Sequence, residues 1–178
     1  LGQDAPFSSH LVRETASGEF VSIEMNGFFK VHYTQDNGST WTQLSADADA
    51  GVVKGVTSDD EGNILLATSR KALLSPDKGA SWTDISSGIK AIGVMDMTQL
   101  SSGTLLLATQ YSGLLRSTNN GENWSNVDQG GNDTQYYVIT RDAQDAAYAG
   151  SRFGEIFRSS DDGVTWTSLN AGNTFSSL

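Results

Sequence analysis

The chain has 178 residues and no cysteine, which is one domain-sized array and excludes disulfides, thiolate metal sites and cysteine nucleophiles. Eleven Lys plus Arg against 21 Asp plus Glu leave a net charge of −10, an acidic surface that argues against nucleic-acid partners. The longest apolar runs, Ile64 to Ala67 and Leu105 to Ala108, are far too short to span a bilayer, so no membrane insertion is expected.

Taken in chain order, short alternating or apolar runs split by Gly, Asp and Ser predict strands, and no window holds a helical period long enough for a helix. The first group is Ser9 to Glu14, Glu19 to Met25 and Phe28 to Tyr33. Val52 to Thr57, Asn63 to Thr68 and Ala72 to Leu74 follow, then Val94 to Gln99, Thr104 to Thr109 and Gly113 to Arg116. The last group is Tyr136 to Arg141, Ala146 to Gly150 and Glu155 to Arg158.

Each group runs into an octet that ends in tryptophan. Trp41, Trp82, Trp124 and Trp166 recur at intervals of 41, 42 and 42 residues. The shared pattern is Ser/Thr-x-Asp-x-Gly-x-Ser/Thr-Trp, with Asp36, Asp77 and Asp161 as the acids and Gly38, Gly79, Gly121 and Gly163 as the glycines. The third octet departs twice, with Asn119 for Asp and Asn123 for Ser/Thr. Asp tolerates turn geometry and accepts bonds from nearby N–H groups, while Gly supplies a positive φ. The octet therefore predicts a hairpin turn cross-bonded by hydroxyls. Its tryptophan restarts a strand and buries a large surface.

The fold expected is all-β: four blades of four antiparallel strands, near 8–46, 50–87, 91–129 and 133–170. Residues 171–178 resemble the start of a further blade. Phe175-Ser176-Ser177-Leu178 echoes Phe7-Ser8-Ser9-His10, which points to a longer array, with four blades closing alone or two copies pairing as the alternatives.

The octets resemble the Asp-box, or BNR, repeat of sialidase-like β-propellers. Gly113 to Trp124 is especially similar to units in secreted xyloglucan-cleaving glycoside hydrolases, sortilin-type ectodomains and photosystem II assembly factors. The resemblance implies an extracellular or periplasmic propeller, with any signal peptide already removed. It also implies that ligands bind near the axis on the face opposite the octets, which are then structural. That face carries the turns between second and third strands, Asn26-Gly27, Ser69-Arg70-Lys71, Gln110-Tyr111-Ser112 and Ser151-Arg152-Phe153. Arg70, Tyr111 and Arg152, with Lys71 and Phe153 beside them, are the candidate binding residues. Arg pairs with carboxylates in a fork, and Tyr stacks or donates. The expected ligand is a glycan or a protein. Asp47, Asp49, Asp128 and Asp133 in the inter-blade links read as solubilising surface acids.

No catalytic set emerges. Sialidase chemistry would have only Arg70, Arg152 and Tyr111 as its pieces, and the Arg-Ile-Pro segment is missing. Glycoside hydrolysis needs two carboxylates about 5–10 Å apart, and no spacing selects a pair from Glu24, Asp96 and Glu155. His10 and His32 make neither a triad nor a metal centre, and Asp59 to Asn63 reads as a hairpin turn. Neither cofactor nor metal is expected. The sequence thus favours a non-catalytic recognition module. Part of a BNR-repeat glycoside hydrolase and an assembly factor stand as the alternatives.

Overall fold

The computed structural model describes residues 9–14, 18–26, 28–44, 51–59, 61–87, 89, 93–127 and 135–169. Asp47, Asp49, Asp128, Asp133, Gly27 and the tail 171–178 lie outside the described residues, as does the side chain of Glu24.

Sixteen strands form four four-stranded antiparallel sheets, each in simple chain order. The first holds β1 (Ser9–Glu14), β2 (Phe20–Asn26), β3 (Phe28–Thr34) and β4 (Thr42–Leu44). The second holds β5 (Val53–Ser58), β6 (Ile64–Thr68), β7 (Ala72–Ser75) and β8 (Thr83–Asp84). The third holds β9 (Val94–Gln99), β10 (Leu105–Thr109), β11 (Leu114–Ser117) and β12 (Ser125–Asn126). The fourth holds β13 (Tyr136–Arg141), β14 (Ala147–Ser151), β15 (Ile156–Ser159) and β16 (Thr167–Ser168). The outermost strands are the shortest of each sheet. Each begins one residue after its tryptophan, and the indoles of Trp82, Trp124 and Trp166 pack into the neighbouring junctions.

The core lies between sheets. One cluster joins Val21, Ile23, Val31 and Leu44 of the first sheet to Val56, Ile64, Leu66 and Leu73 of the second, with Trp82 against it. The next two repeat the arrangement around Trp124 and Trp166. The unbroken burial of β6 and β10 is thereby explained. All five residues of each strand are buried, because both faces are covered by neighbouring blades. Each leucine buried this way contributes roughly 1.5–3 kcal/mol. The outer side of the fourth sheet differs. Ile156 is 47% exposed and Leu169 55%, whereas their repeat equivalents Leu114 and Ile85 are 1% and 5% exposed.

Every octet forms the same turn. Asp36, Asp77, Asn119 and Asp161 each accept at their carbonyl from the N–H three residues on. The two residues between have positive φ: Asn37 and Gly38, Lys78 and Gly79, Asn120 and Gly121, Asp162 and Gly163. That is a type I′ hairpin turn, whose twist suits antiparallel strands. In the first octet Thr40 donates from its N–H to Asp36 Oδ1 (2.8 Å) and from its hydroxyl to Oδ2 (2.7 Å). Thr34 donates to the same carboxylate at 2.7 Å and accepts from Gly38 N–H at 3.0 Å. Ser75, Asp77 and Ser81 repeat this, as do Ser159, Asp161 and Thr165. The third octet keeps the Asn123 N–H bond to Asn119 Oδ1 (3.0 Å) but has no hydroxyl to cross the turn.

The octet glycines also serve the junctions. A Cβ at Gly79 would lie 2.5 Å from Leu44 of the preceding blade, and one at Gly163 would lie 2.5 Å from Leu106. At Gly121 it would meet Ile85 at both Cβ and carbonyl oxygen, each at 2.6 Å. Trp124 Nε1 donates to that same carbonyl at 3.0 Å.

Candidate functional site

The strand order gives the molecule two working faces and an axis. First strands β5, β9 and β13 pack successively against one another, which puts them innermost. Each first strand starts at the face of the second-to-third turns and ends at the octet face. All four carry a β-bulge near their starts, at His10, Lys54, Met95 and Tyr137, the residues skipped in the pairing register. Bulges bend and twist a strand, and here they recur where the four blades converge.

The predicted binding residues all occupy second-to-third turns. Those turns are tied to the entrances of the first strands by a repeated backbone bond: Ser69 N–H to Val52 carbonyl (2.7 Å), Gln110 to Gly93 (2.8 Å) and Arg152 to Gln135 (2.9 Å). Thr68 and Thr109 hydroxyls add bonds within two of the turns, accepting from Lys71 N–H (2.8 Å) and Ser112 N–H (2.9 Å). Arg70 and Tyr111 lie over Gly51 and Gly93, where a Cβ would fall 3.2 Å from Arg70 Cγ and 3.3 Å from the Tyr111 ring. Tyr111 is 63% exposed and Phe153 68%. Arg152 sits over the Phe153 ring at 5.7 Å and donates to Gln135 Oε1 at 3.1 Å. Lys71 faces Asp84 of its own sheet at 3.7 Å, which partly satisfies its charge. Arg152 and Phe153 are therefore brought together, while Arg70 and Tyr111 stand on separate blades at equivalent positions.

Among the carboxylate candidates, Asp96 and Glu155 stand on different blades, and the Glu24 side chain lies outside the described residues. Asp96 is held by backbone: Oδ1 accepts from Met97 N–H (3.0 Å) and Oδ2 from Ile139 N–H of the next blade (3.1 Å). A side chain at Gly55 would collide with it, so three first strands meet at one carboxylate. Glu155 lies in the second-to-third turn of the fourth blade, just before β15, where Ser151 Oγ accepts from its N–H at 3.2 Å. Among the described residues, no group of three or more His, Cys, Asp or Glu is arranged to hold a metal ion.

Sequence reasoning missed an axial cavity of about 350 Å³ on the octet side. Glu14, Ser58, Asp96, Thr98, Ile139 and Arg141 contribute to its wall, so all four innermost strands reach it. Arg141 is turned aside there, with Nη1 2.9 Å from Asp145 Oδ1. The only sequence signal was Gly55, which leaves room for the Asp96 carboxylate.

No family model matches the chain, and no curated protein does. Solved structures do. Streptogramin B lyase superposes with a TM-score of 0.71 at 18% identity, over 89% of this chain and 53% of that one. YCF48 bound to D1 peptide gives 0.58 at 14%, over 84% and 49%. The GH74 xyloglucanase from Xanthomonas campestris gives 0.63 at 12%, over 85% and 29%. The fold is a β-propeller. The described residues form four blades, and the chain spans about half the length of YCF48 and of the lyase. At these identities the likeness carries the architecture alone. Among the described residues no helix is long and apolar enough to cross a membrane.

Proposed function

We propose that this propeller is a non-catalytic recognition module of a secreted protein, binding a glycan or protein on the face of the second-to-third strand turns. Arg70, Lys71, Tyr111, Arg152 and Phe153 make the contacts. The observation that carries this reading is the exposure of two large rings, Tyr111 and Phe153, on turns stapled to the innermost strands. Aromatic groups on rigid supports lose little entropy on binding and are favoured anchors. Arg152 above Phe153 adds a cation that can pair with a carboxylate or a hydroxyl while its stem stays packed. The two ligand kinds match those in the names of similar propellers, one bound to a peptide and one a xyloglucanase.

The test is binding of the purified chain to glycan and peptide arrays, with Arg70→Ala, Tyr111→Ala and Arg152→Ala compared with the parent. Loss of signal in these variants is the expected result. If each retains full binding, the assigned face is wrong. Sugar release from polysaccharide by the chain alone would replace the recognition reading with a hydrolytic one.

A further inference from the structure

Three blade junctions on the octet face can be compared position by position, and one of them is incomplete. At each junction the residue just before the octet in one blade meets the fourth octet residue of the next. At the first junction these are Tyr33 and Lys78: Nζ lies 5.7 Å over the ring and 2.6 Å from Glu19 Oε1. At the third they are Arg116 and Asp162: the guanidinium pairs with the carboxylate, and Nε donates to the Asp162 carbonyl at 2.7 Å. A basic side chain of the protein itself thus fills both places, once from the following blade and once from the preceding one.

At the second junction the same two positions hold Leu74 and Asn120, and neither is charged. Both line a cleft of about 290 Å³ between the second and third blades. Its apolar wall is Leu74, Leu100 and Leu105. Acceptors surround that wall. Glu61 and Asn63 are the repeat equivalents of Ser102 and Thr104, whose hydroxyls donate to Asp162 at the third junction. Asp59, buried at 6% exposure, is bonded by the N–H groups of Glu61 and Asn63 and by the Asn63 amide, which fixes a second carboxylate at the cleft. Gln99 lines the cleft as well, and its Oε1 is buried without a hydrogen-bond partner.

We propose that this cleft binds a lysine or arginine side chain of a polypeptide partner, which takes the place that Lys78 and Arg116 occupy at the other junctions. An alkyl stem covers the three leucines, and the cationic head meets Glu61, Gln99 Oε1 and the Asn120 amide oxygen. A long basic side chain has this division between apolar stem and charged head. The surface that receives it belongs to a chain of net charge −10, which speeds the approach of a cationic partner. The cleft lies on the octet face and is independent of the turn residues proposed above.

The experiment is amide NMR of the full chain titrated with the blocked tripeptides Gly-Arg-Gly and Gly-Lys-Gly. The citrulline and norleucine analogues serve as uncharged controls. Basic peptides should shift the amides of Glu61, Asn63, Ser101, Gly103 and Asn120, and the controls should not. Glu61→Gln should weaken binding by about tenfold, as expected for loss of one charged partner. The double variant Leu74→Tyr with Asn120→Lys rebuilds the first junction's pair inside the cleft. It should abolish the shifts while its amide spectrum stays dispersed. Equal shifts from the citrulline peptide, or undiminished binding by the filled double variant, would overturn the proposal.

Discussion

Arg116 and Asp162 belong to different blades and are joined twice, guanidinium to carboxylate and Nε to backbone carbonyl. The same carboxylate accepts hydroxyl bonds from Ser102 (2.5 Å) and Thr104 (2.7 Å). Burial alone would raise its pKa. The bonds from Ser102, Thr104 and Arg116 outweigh that and lower it. Asp162→Ala should destabilise the fold by about 2 kcal/mol, because it strands three donors in a partly buried junction. Urea unfolding of the variant and parent measures this, and a midpoint unchanged by the substitution would contradict it.

Acid sensitivity should concentrate in the first and fourth octets. The Thr40 hydroxyl and N–H draw the Asp36 pKa from 3.8 to about 2, and Thr165 does the same for Asp161. A folded pKa below the unfolded one gives stability that is complete above about pH 4 and lost as the pH falls toward 2. Asp36→Asn and Asp161→Asn should flatten the dependence of the unfolding midpoint on pH between 4 and 2, and leave its shape above pH 5 unchanged.

The octet glycines should rank by what surrounds them. Gly38→Ala meets nothing closer than its own Trp41 ring at 3.7 Å and carries only the left-handed backbone cost, roughly 1 kcal/mol. Gly121→Ala adds a collision with the Ile85 carbonyl, which cannot rotate away, and should cost about 3 kcal/mol. Gly163→Ala should fall between, since the Leu106 side chain can yield in part. Thermal unfolding of the three variants tests the order.

Repairing the third octet should be stabilising. Asn119→Asp with Asn123→Thr restores the hydroxyl-to-carboxylate bond seen at Asp36, Asp77 and Asp161. A gain of about 0.5–1 kcal/mol is expected, together with a new acid-sensitive limb. A loss of stability would show that this turn has been tuned to its neighbour Ile85.

Much of the architecture was legible because each octet is a local device. Asp, Gly and a hydroxyl at fixed offsets bond to one another, so their spacing announces the turn without tertiary knowledge. Trp166 shows the limit. Its sequence context reads as a strand start, yet the indole belongs to the packing against Leu106 and Leu114, which lie 60 and 52 positions earlier. Asp96 shows another. Its partner on the next blade is the backbone N–H of Ile139, and a backbone group leaves no mark in the amino-acid sequence. The cleft at Leu74 and Asn120 is invisible for a related reason. It exists because two ordinary residues stand where other junctions place a cation, and only superposed junctions reveal that.

The octet glycines and their opposed residues place a constraint on how such chains can diversify. The turn is folded by one blade, but the volume that it needs is granted by the blade before. Gly121 is inseparable from Ile85, and Asp162 from Arg116. Each such partnership therefore spans two neighbouring blades. Arg116 and Asp162 stand 46 positions apart, more than one repeat, so recombination that exchanges a single 42-residue unit around either one separates them wherever the cut falls, whereas exchange of adjacent blades together can keep the partners matched.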